Sequence, residues 1–245
     1  GLDLKRVDTA LEKPEIQNRM QELREELHGI KLVLSVERLD YTKGIPAKLE
    51  AFERLMEDHP ELHGKVTLVT VCVPAAKEMT VYNELQNEIE QAVGRINGKY
   101  AHVGWTPVQF FFRAVPFEEL VAYYAMADVM WITPLRDGLN LVAKEYVATQ
   151  GKTEGKGVLV LSEFAGAAAE VKGAVLCNPH DPAEMAETCY FALSMHPDDA
   201  AARLNEAYDV VSYYDIAHWG QDFLDEVADS ARKNGRGSAD LTVVA

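Results

Sequence analysis

Six short runs rich in β-branched and other apolar residues recur along the chain, and a longer stretch with helical spacing follows every one but the fifth. The runs are Lys31–Val36, Val66–Val73, Val108–Phe112, Val129–Thr133, Gly157–Ser162 and Ala174–Asn178. They are near-continuous rather than alternating, which is the pattern of strands buried on both faces. The helical stretches cover residues 12–28, 46–58, 79–96, 117–126, 140–149, 182–195 and 200–230, as in Pro46–Asp58, where Leu49, Phe52, Leu55 and Met56 share one face. Strand–helix alternation is the signature of βαβ units, whose right-handed crossovers give a parallel sheet with helices on both sides. The spacing therefore predicts an α/β fold: a doubly wound parallel sheet in a single Rossmann-type domain. In such sheets ligands bind beyond the carboxyl ends of the strands, where strand order reverses.

The domain is expected over 1–230, with a flexible tail over 231–245 and a flexible Gly/Lys-rich connector over Gly151–Gly157. A chain of 245 residues that is 48% hydrophobic can bury a core without staples. A net charge of −15 argues against a general nucleic-acid binder or a polybasic membrane-surface protein, but leaves room for a local basic pocket. Cys72, Cys177 and Cys189 have no CxxC spacing and read as core thiols of a reducing compartment. With no secretory signal pattern and no bilayer-length apolar run, the expected location is cytoplasmic. The opening Gly1-Leu-Asp-Leu-Lys-Arg-Val reads as a chain entered partway.

Three loops at strand ends carry the chemistry. In Val36-Glu-Arg-Leu-Asp-Tyr-Thr-Lys-Gly44, Arg38 and Lys43 stand just before a helix. A guanidinium, an ammonium and helix amides together suit a diphosphate; the plain alternative is a surface loop in which Arg38 pairs with Asp40. In Thr133–Glu145, Gly138 permits an unusual backbone, and the amides from Leu139 to Val142 open a helix that could cradle an anion. Asp137 and Glu145 suit sugar or ribose hydroxyls, or else Asp137 caps the helix and Glu145 is solvated. In Ser162–Glu170, Gly166 and the alanines allow close approach of backbone to a ligand or to a neighbouring helix. There is no GxGxxG, no P-loop spacing and no GxSxG elbow, and His59-Pro-Glu-Leu-His63 is not HExxH.

Together SVERLDYTKG, VGRINGKYAHVGWTP, PLRDGLNLVAKEYVA and VLVLSEFAGAAAE resemble the trehalose-6-phosphate synthase family of glycosyltransferases, from about Leu32 to Trp219. The resemblance implies the C-terminal, nucleotide-sugar-binding half of a GT-B enzyme, with an N-terminal domain of the same protein as its missing partner. It also implies that Arg38 and Lys43 are catalytic, binding the donor diphosphate and stabilising its charge as it leaves. Asp137, Gly138, Leu139 and Asn140 would hold the glucose, Leu141 and Val142 would give amides to the phosphates, and Glu145 would bind the ribose. The strand end with Arg113 would lie beside the base. No metal and no other cofactor is expected, because the two cations take the metal's role, and anomeric configuration would be retained.

The family's acceptor loop usually carries an arginine that grips the phosphate of glucose 6-phosphate; here it reads Val73–Tyr82, with Lys77 as the acceptor-side candidate. That loop, the insertion before Val158 and Leu176–Asp181 look more like the glucosylglycerol-phosphate synthase branch. The implied reaction is glucose transfer, usually from ADP-glucose, to glycerol 3-phosphate. The alternatives are trehalose-6-phosphate synthesis from UDP-glucose and glucose 6-phosphate, or a non-catalytic binding module. Half the cleft alone is expected to be inactive.

Overall fold

In a computed structural model, which describes residues 1–74 and 80–233, the chain forms an α/β domain around a six-stranded, all-parallel sheet. The strands are β1 (Lys31–Arg38), β2 (Val66–Val73), β3 (Val108–Phe111), β4 (Val129–Ile132), β5 (Val158–Ser162) and β6 (Val175–Cys177). Among the described residues the helices are α1 (Leu4–Leu11), α2 (Pro14–Leu27), α3 (Ile45–Asp58), α4 (Thr80–Tyr100), α5 (Phe117–Met126), α6 (Leu141–Lys152), α7 (Pro182–Ser194), α8 (Pro197–Tyr213) and α9 (Ile216–Lys233). The sheet order is β3-β2-β1-β4-β5-β6. The chain winds outward from β1 through β2 to β3, then returns to place β4 on the other side of β1. Strand order therefore reverses between β1 and β4, and the loops leaving them diverge.

Alternation along each strand feeds two cores. Leu32, Leu34, Met130, Ile132, Leu159 and Leu161 face α1, α2, α5, α6 and α8. Val33, Leu68, Val129, Trp131, Val158 and Val160 face α3, α4 and α7. Both faces of β1 are thus covered, and its six central residues are buried. All three cysteines are free and buried; burial pushes the Cys72 and Cys177 thiols up to about 12, and Cys189 upward as well. They are packing residues rather than nucleophiles. No helix among the described residues is long and apolar enough to cross a membrane.

Three expectations change. The N-terminal segment holds an additional helix, α1, capped by the Asp3 carboxylate on the amides of Lys5 and Arg6 and anchored by buried Val7 and Ala10. The Gly151–Gly157 segment is not a flexible connector. α6 continues through Lys152, and the glycines are sites of close packing: a Cβ at Gly151 would lie 2.3 Å from the Tyr208 ring, and one at Gly157 2.0 Å from the Tyr146 hydroxyl. At the other end α9 runs on to Lys233, beyond the expected boundary at 230; residues 234–245 lie outside the described residues, as does Lys77.

Gln150 ties this region together. Its buried amide donates to the carbonyls of Tyr124 (2.7 Å) and Ala127 (3.0 Å) and accepts from the Gly157 amide (3.0 Å). One side chain so closes the end of α5, the end of α6 and the start of β5. Gln150→Ala strands these buried groups and is expected to cost about 2–4 kcal/mol, read as a lower urea midpoint at unchanged m-value.

Candidate functional site

The carboxyl ends of β1 and β4 open onto a cavity of about 400 Å³, lined by Arg38, Lys43, Asp137, Leu139, Asn140, Leu141 and Val142 together with Val36, Glu37 and Pro134. Its two walls are the loop from β1 to α3 and the loop from β4 to α6. Asp40 shapes the first wall: its carboxylate accepts from the Thr42 amide (2.9 Å) and hydroxyl (2.8 Å) and so caps a 3₁₀ turn over Tyr41–Lys43. Gly44 follows with φ +64°, and a Cβ there would meet the Thr133 carbonyl at 3.1 Å and the Leu135 side chain at 3.2 Å. Glycine lets the chain turn into α3 while the two loops touch.

The walls are joined in two places. The Leu135 amide donates to the Thr42 carbonyl at 2.7 Å. The Lys43 ammonium donates to Asp137 Oδ2 at 2.7 Å, with both side chains mostly buried. The loop after β5 holds the second wall from behind. The amides of Gly166 and Ala167 donate to the carbonyls of Asp137 and Leu139, each at 3.0 Å, and Asp137 donates back to Phe164 at 3.3 Å. A Cβ at Gly166 would lie 1.9 Å from the Gly138 carbonyl oxygen. The Gly166 loop therefore makes its close approach to a neighbouring loop.

Asn140, not Gly138, adopts the left-handed backbone, with φ +66°. A short amide side chain tolerates that region, and Asn140 uses both of its ends. Oδ1 accepts from the Ala143 amide at 3.0 Å and caps α6, while Nδ2 donates to Asp137 Oδ2 at 3.0 Å. Asp137 is thus no helix cap; it is the acceptor on which Lys43 and Asn140 converge. Burial raises its carboxyl, but the Lys43 hydrogen bond and charge, with Asn140 and the Leu139 amide, outweigh burial and hold it below the ordinary carboxylate range. The first amides of α6, those of Leu141 and Val142, open toward the cavity at the positive end of the helix dipole.

Arg38 is exposed at the cavity edge and has no hydrogen-bond or ion-pair partner among the described residues. The alternative pairing with Asp40 does not form, since Asp40 serves Thr42. Glu145 lies outside the cavity lining, one turn further along α6 on the stripe shared with Leu141 and Val142, and its Oε2 accepts from the Tyr124 hydroxyl at 3.1 Å. Burial pushes its carboxyl up, against the Tyr124 bond and the charge of Arg6. Arg113 lies on the far side of β2 from β1, away from the cavity, where it pairs with Glu119 at 3.4 Å.

Sequence reasoning passed over Glu37 and Lys48, which form a buried ion pair beneath the cavity, with Lys48 also donating to Ser35 Oγ at 2.8 Å. A signal was present: Lys48 interrupts the apolar stripe of α3 between Ile45 and Phe52.

Comparison with known proteins places this geometry in context. A sequence model of the family described as glycosyltransferase family 20 matches residues 1–229. A glucosylglycerol-phosphate synthase from Pseudomonas anguilliseptica is 69% identical over 229 residues, covering 94% of this chain and 30% of the relative. An alpha,alpha-trehalose-phosphate synthase (UDP-forming) from Aspergillus niger is 43% identical, covering 93% of this chain and 47% of its own length. Among solved structures, one of the trehalose-6-phosphate protein from E. coli bound with UDP-2-fluoro glucose superposes with a TM-score of 0.87 at 38% identity, covering 92% of this chain and 50% of that one. A UDP-forming alpha,alpha-trehalose-phosphate synthase from Burkholderia xenovorans in complex with glucose-6-phosphate matches with a TM-score of 0.87 at 36% identity, covering 92% of this chain and 50% of that one. The chain thus spans half or less of the length of these relatives.

The raised Glu145 carboxyl has a consequence for stability. The folded state favours its protonated form, so the contribution of this group declines as pH rises from the ordinary carboxylate range through the raised value. Glu145→Gln is therefore expected to raise Tm by about 2 °C at pH 7.5. The gain should vanish near pH 4, as followed by circular dichroism melts.

Proposed function

The chain belongs to glycosyltransferase family 20, and from that premise we propose that it is the donor-binding half of a retaining glucosyltransferase that moves glucose from a nucleotide sugar to glycerol 3-phosphate. The observation that carries the reading is the cavity at the β1/β4 switch point, where Arg38, without a partner among the described residues, shares the lining with the amino end of α6. A diphosphate placed there meets a bidentate guanidinium on one side and the Leu141 and Val142 amides on the other. Lys43 adds an ammonium whose position is already set by Asp137. As the glycosidic bond to the diphosphate breaks, charge grows on the leaving oxygen, and these prearranged donors stabilise it without reorganising.

In the same reading Asp137, Gly138, Leu139 and Asn140 face the glucose. The second oxygen of Asp137 and the backbone of this loop supply acceptors for its hydroxyls. Glu145, one turn along α6, meets the ribose, whereas Arg113, away from the cavity and paired with Glu119, has no part in the reading. No metal is required, because Arg38, Lys43 and the α6 dipole provide the positive charge. A cytoplasmic setting fits three buried free thiols.

Glycerol 3-phosphate as acceptor rests on the 69% identity to a glucosylglycerol-phosphate synthase, against 43% to the trehalose-phosphate synthase of A. niger. ADP-glucose is the proposed donor. The acceptor wall would come from the remainder of the protein. Leu139 and Leu141, both about two-fifths exposed, and the exposed Ile216 and Trp219 of α9 form an apolar rim beside the cavity.

Calorimetric titration tests the donor site. ADP and UDP-glucose are expected to bind the 245-residue chain, and Arg38→Ala and Lys43→Ala are each expected to weaken binding by about 10–100-fold. Unchanged affinity in both variants would remove the reading. The chain alone is expected to release no nucleoside diphosphate when given ADP-glucose and glycerol 3-phosphate. The full-length protein should consume that pair in preference to UDP-glucose with glucose 6-phosphate, and the reverse preference would reassign the acceptor.

A further inference from the structure

An anion site needs an excess of positive charge, yet the cavity lining alone does not have one. Its charged side chains are Arg38 and Lys43 against Glu37 and Asp137, two cations facing two carboxylates. Lys43 is already engaged by Asp137. Glu37 immediately precedes Arg38, so an uncompensated carboxylate there would cancel the one cation that has no acidic partner.

The compensation comes from behind the wall. Lys48, on the first turn of α3, is 1% exposed and donates to Glu37 Oε1 and to Ser35 Oγ. Glu37 is 7% exposed, and its Oε2 is buried with no hydrogen-bond partner among the described residues. Among the described residues Lys48 is thus the one ion-pair partner of this carboxylate. A buried pair of this kind is poor evidence for stability, because desolvation of two ions offsets their attraction. Its effect on the neighbouring cavity is a different matter: with Lys48 included, three cations stand against the two carboxylates of the lining, an excess of one. In surroundings of low dielectric, one charge at this range is felt by a bound anion.

We infer that Lys48 is a positioning residue for the anion site, neutralising Glu37 from beneath so that Arg38 remains the uncompensated charge offered to a diphosphate. The inference rests on the nucleotide-sugar reading and adds to it a charge that does not touch the ligand. It also accounts for a lysine on the apolar face of α3, where a leucine would pack at lower cost.

The test is the affinity of ADP, by calorimetry at low salt, for Lys48→Met, Glu37→Gln and the double variant, each first shown to melt cooperatively. If the net charge of the pair governs binding, Lys48→Met is about tenfold weaker than the parent chain. Glu37→Gln is then tighter, and the double variant recovers the affinity lost in Lys48→Met. Parent-like binding by Lys48→Met, or a double variant no better than Lys48→Met, overturns the inference. Should Lys48→Met fail to fold, Glu37→Gln against the double variant asks the same question: a tenfold difference supports a field effect of Lys48, and equal affinities refute it. Arg38→Ala in the same series separates the two claims. If that variant and Lys43→Ala both keep full affinity, the nucleotide-sugar reading itself fails; if they lose affinity while the Lys48 series does not move, only the present inference fails.

Discussion

The contact between the loops that leave β1 and β4 is the constraint on which the site depends. Two parallel strands lie side by side, but their connections depart in opposite directions, and a crevice must open between them. It would stay a passive gap were it not bridged. The Leu135 amide on the Thr42 carbonyl and the Lys43 ammonium on Asp137 set its width, and glycine at position 44 lets the two backbones come close enough to make both bonds. The Gly166 loop then fixes the far wall through backbone hydrogen bonds alone. The walls of the cavity are thus held by contacts within the protein itself.

Electrostatics divide the work among these groups. Three acidic residues beside Arg38 have partners of their own: Asp40 in the turn it caps, Asp137 in Lys43 and Asn140, and Glu37 in Lys48. The amino end of α6 adds fixed donors, and Asn140 shapes that end by combining a left-handed backbone with a cap. What remains unpaired among the described residues, a guanidinium and helix amides, is the set that suits a diphosphate. This arrangement lies within a protein whose net charge is −15, so the basic character is local and has to be defended from neighbouring carboxylates.

Much of this could be read from residue order. The β-branched runs marked all six strands, the inner ones being continuously apolar because they are buried on both faces, and Phe117–Met126 and Val66–Val73 were delimited to the residue. Arg38, Lys43, Asp137 and Leu139–Val142 were picked out by their places at strand ends, and one cavity gathers them. Other features were not legible. The helix Leu4–Leu11 is short, and the partners of its buried Val7 and Ala10 lie far along the chain. Gly151–Gly157 looked like a loose connector because glycine is ambiguous between freedom and crowding; only the positions of Tyr208, Tyr146 and Gln150 show it to be crowding. Gly138 permits an unusual backbone by its residue type, yet it is Asn140 that adopts one.

By itself, then, the sequence determined the layered parallel architecture and the residue types available at the strand ends, because periodicity and side-chain chemistry are local properties. The tertiary structure alone decided the pairings: Lys43 with Asp137 across 94 positions, Tyr124 with Glu145, and Lys48 with Glu37 rather than with solvent. Those choices follow from which strands become neighbours and how far each group is removed from water. Both are properties of the packed sheet, and no stretch of chain read alone contains them.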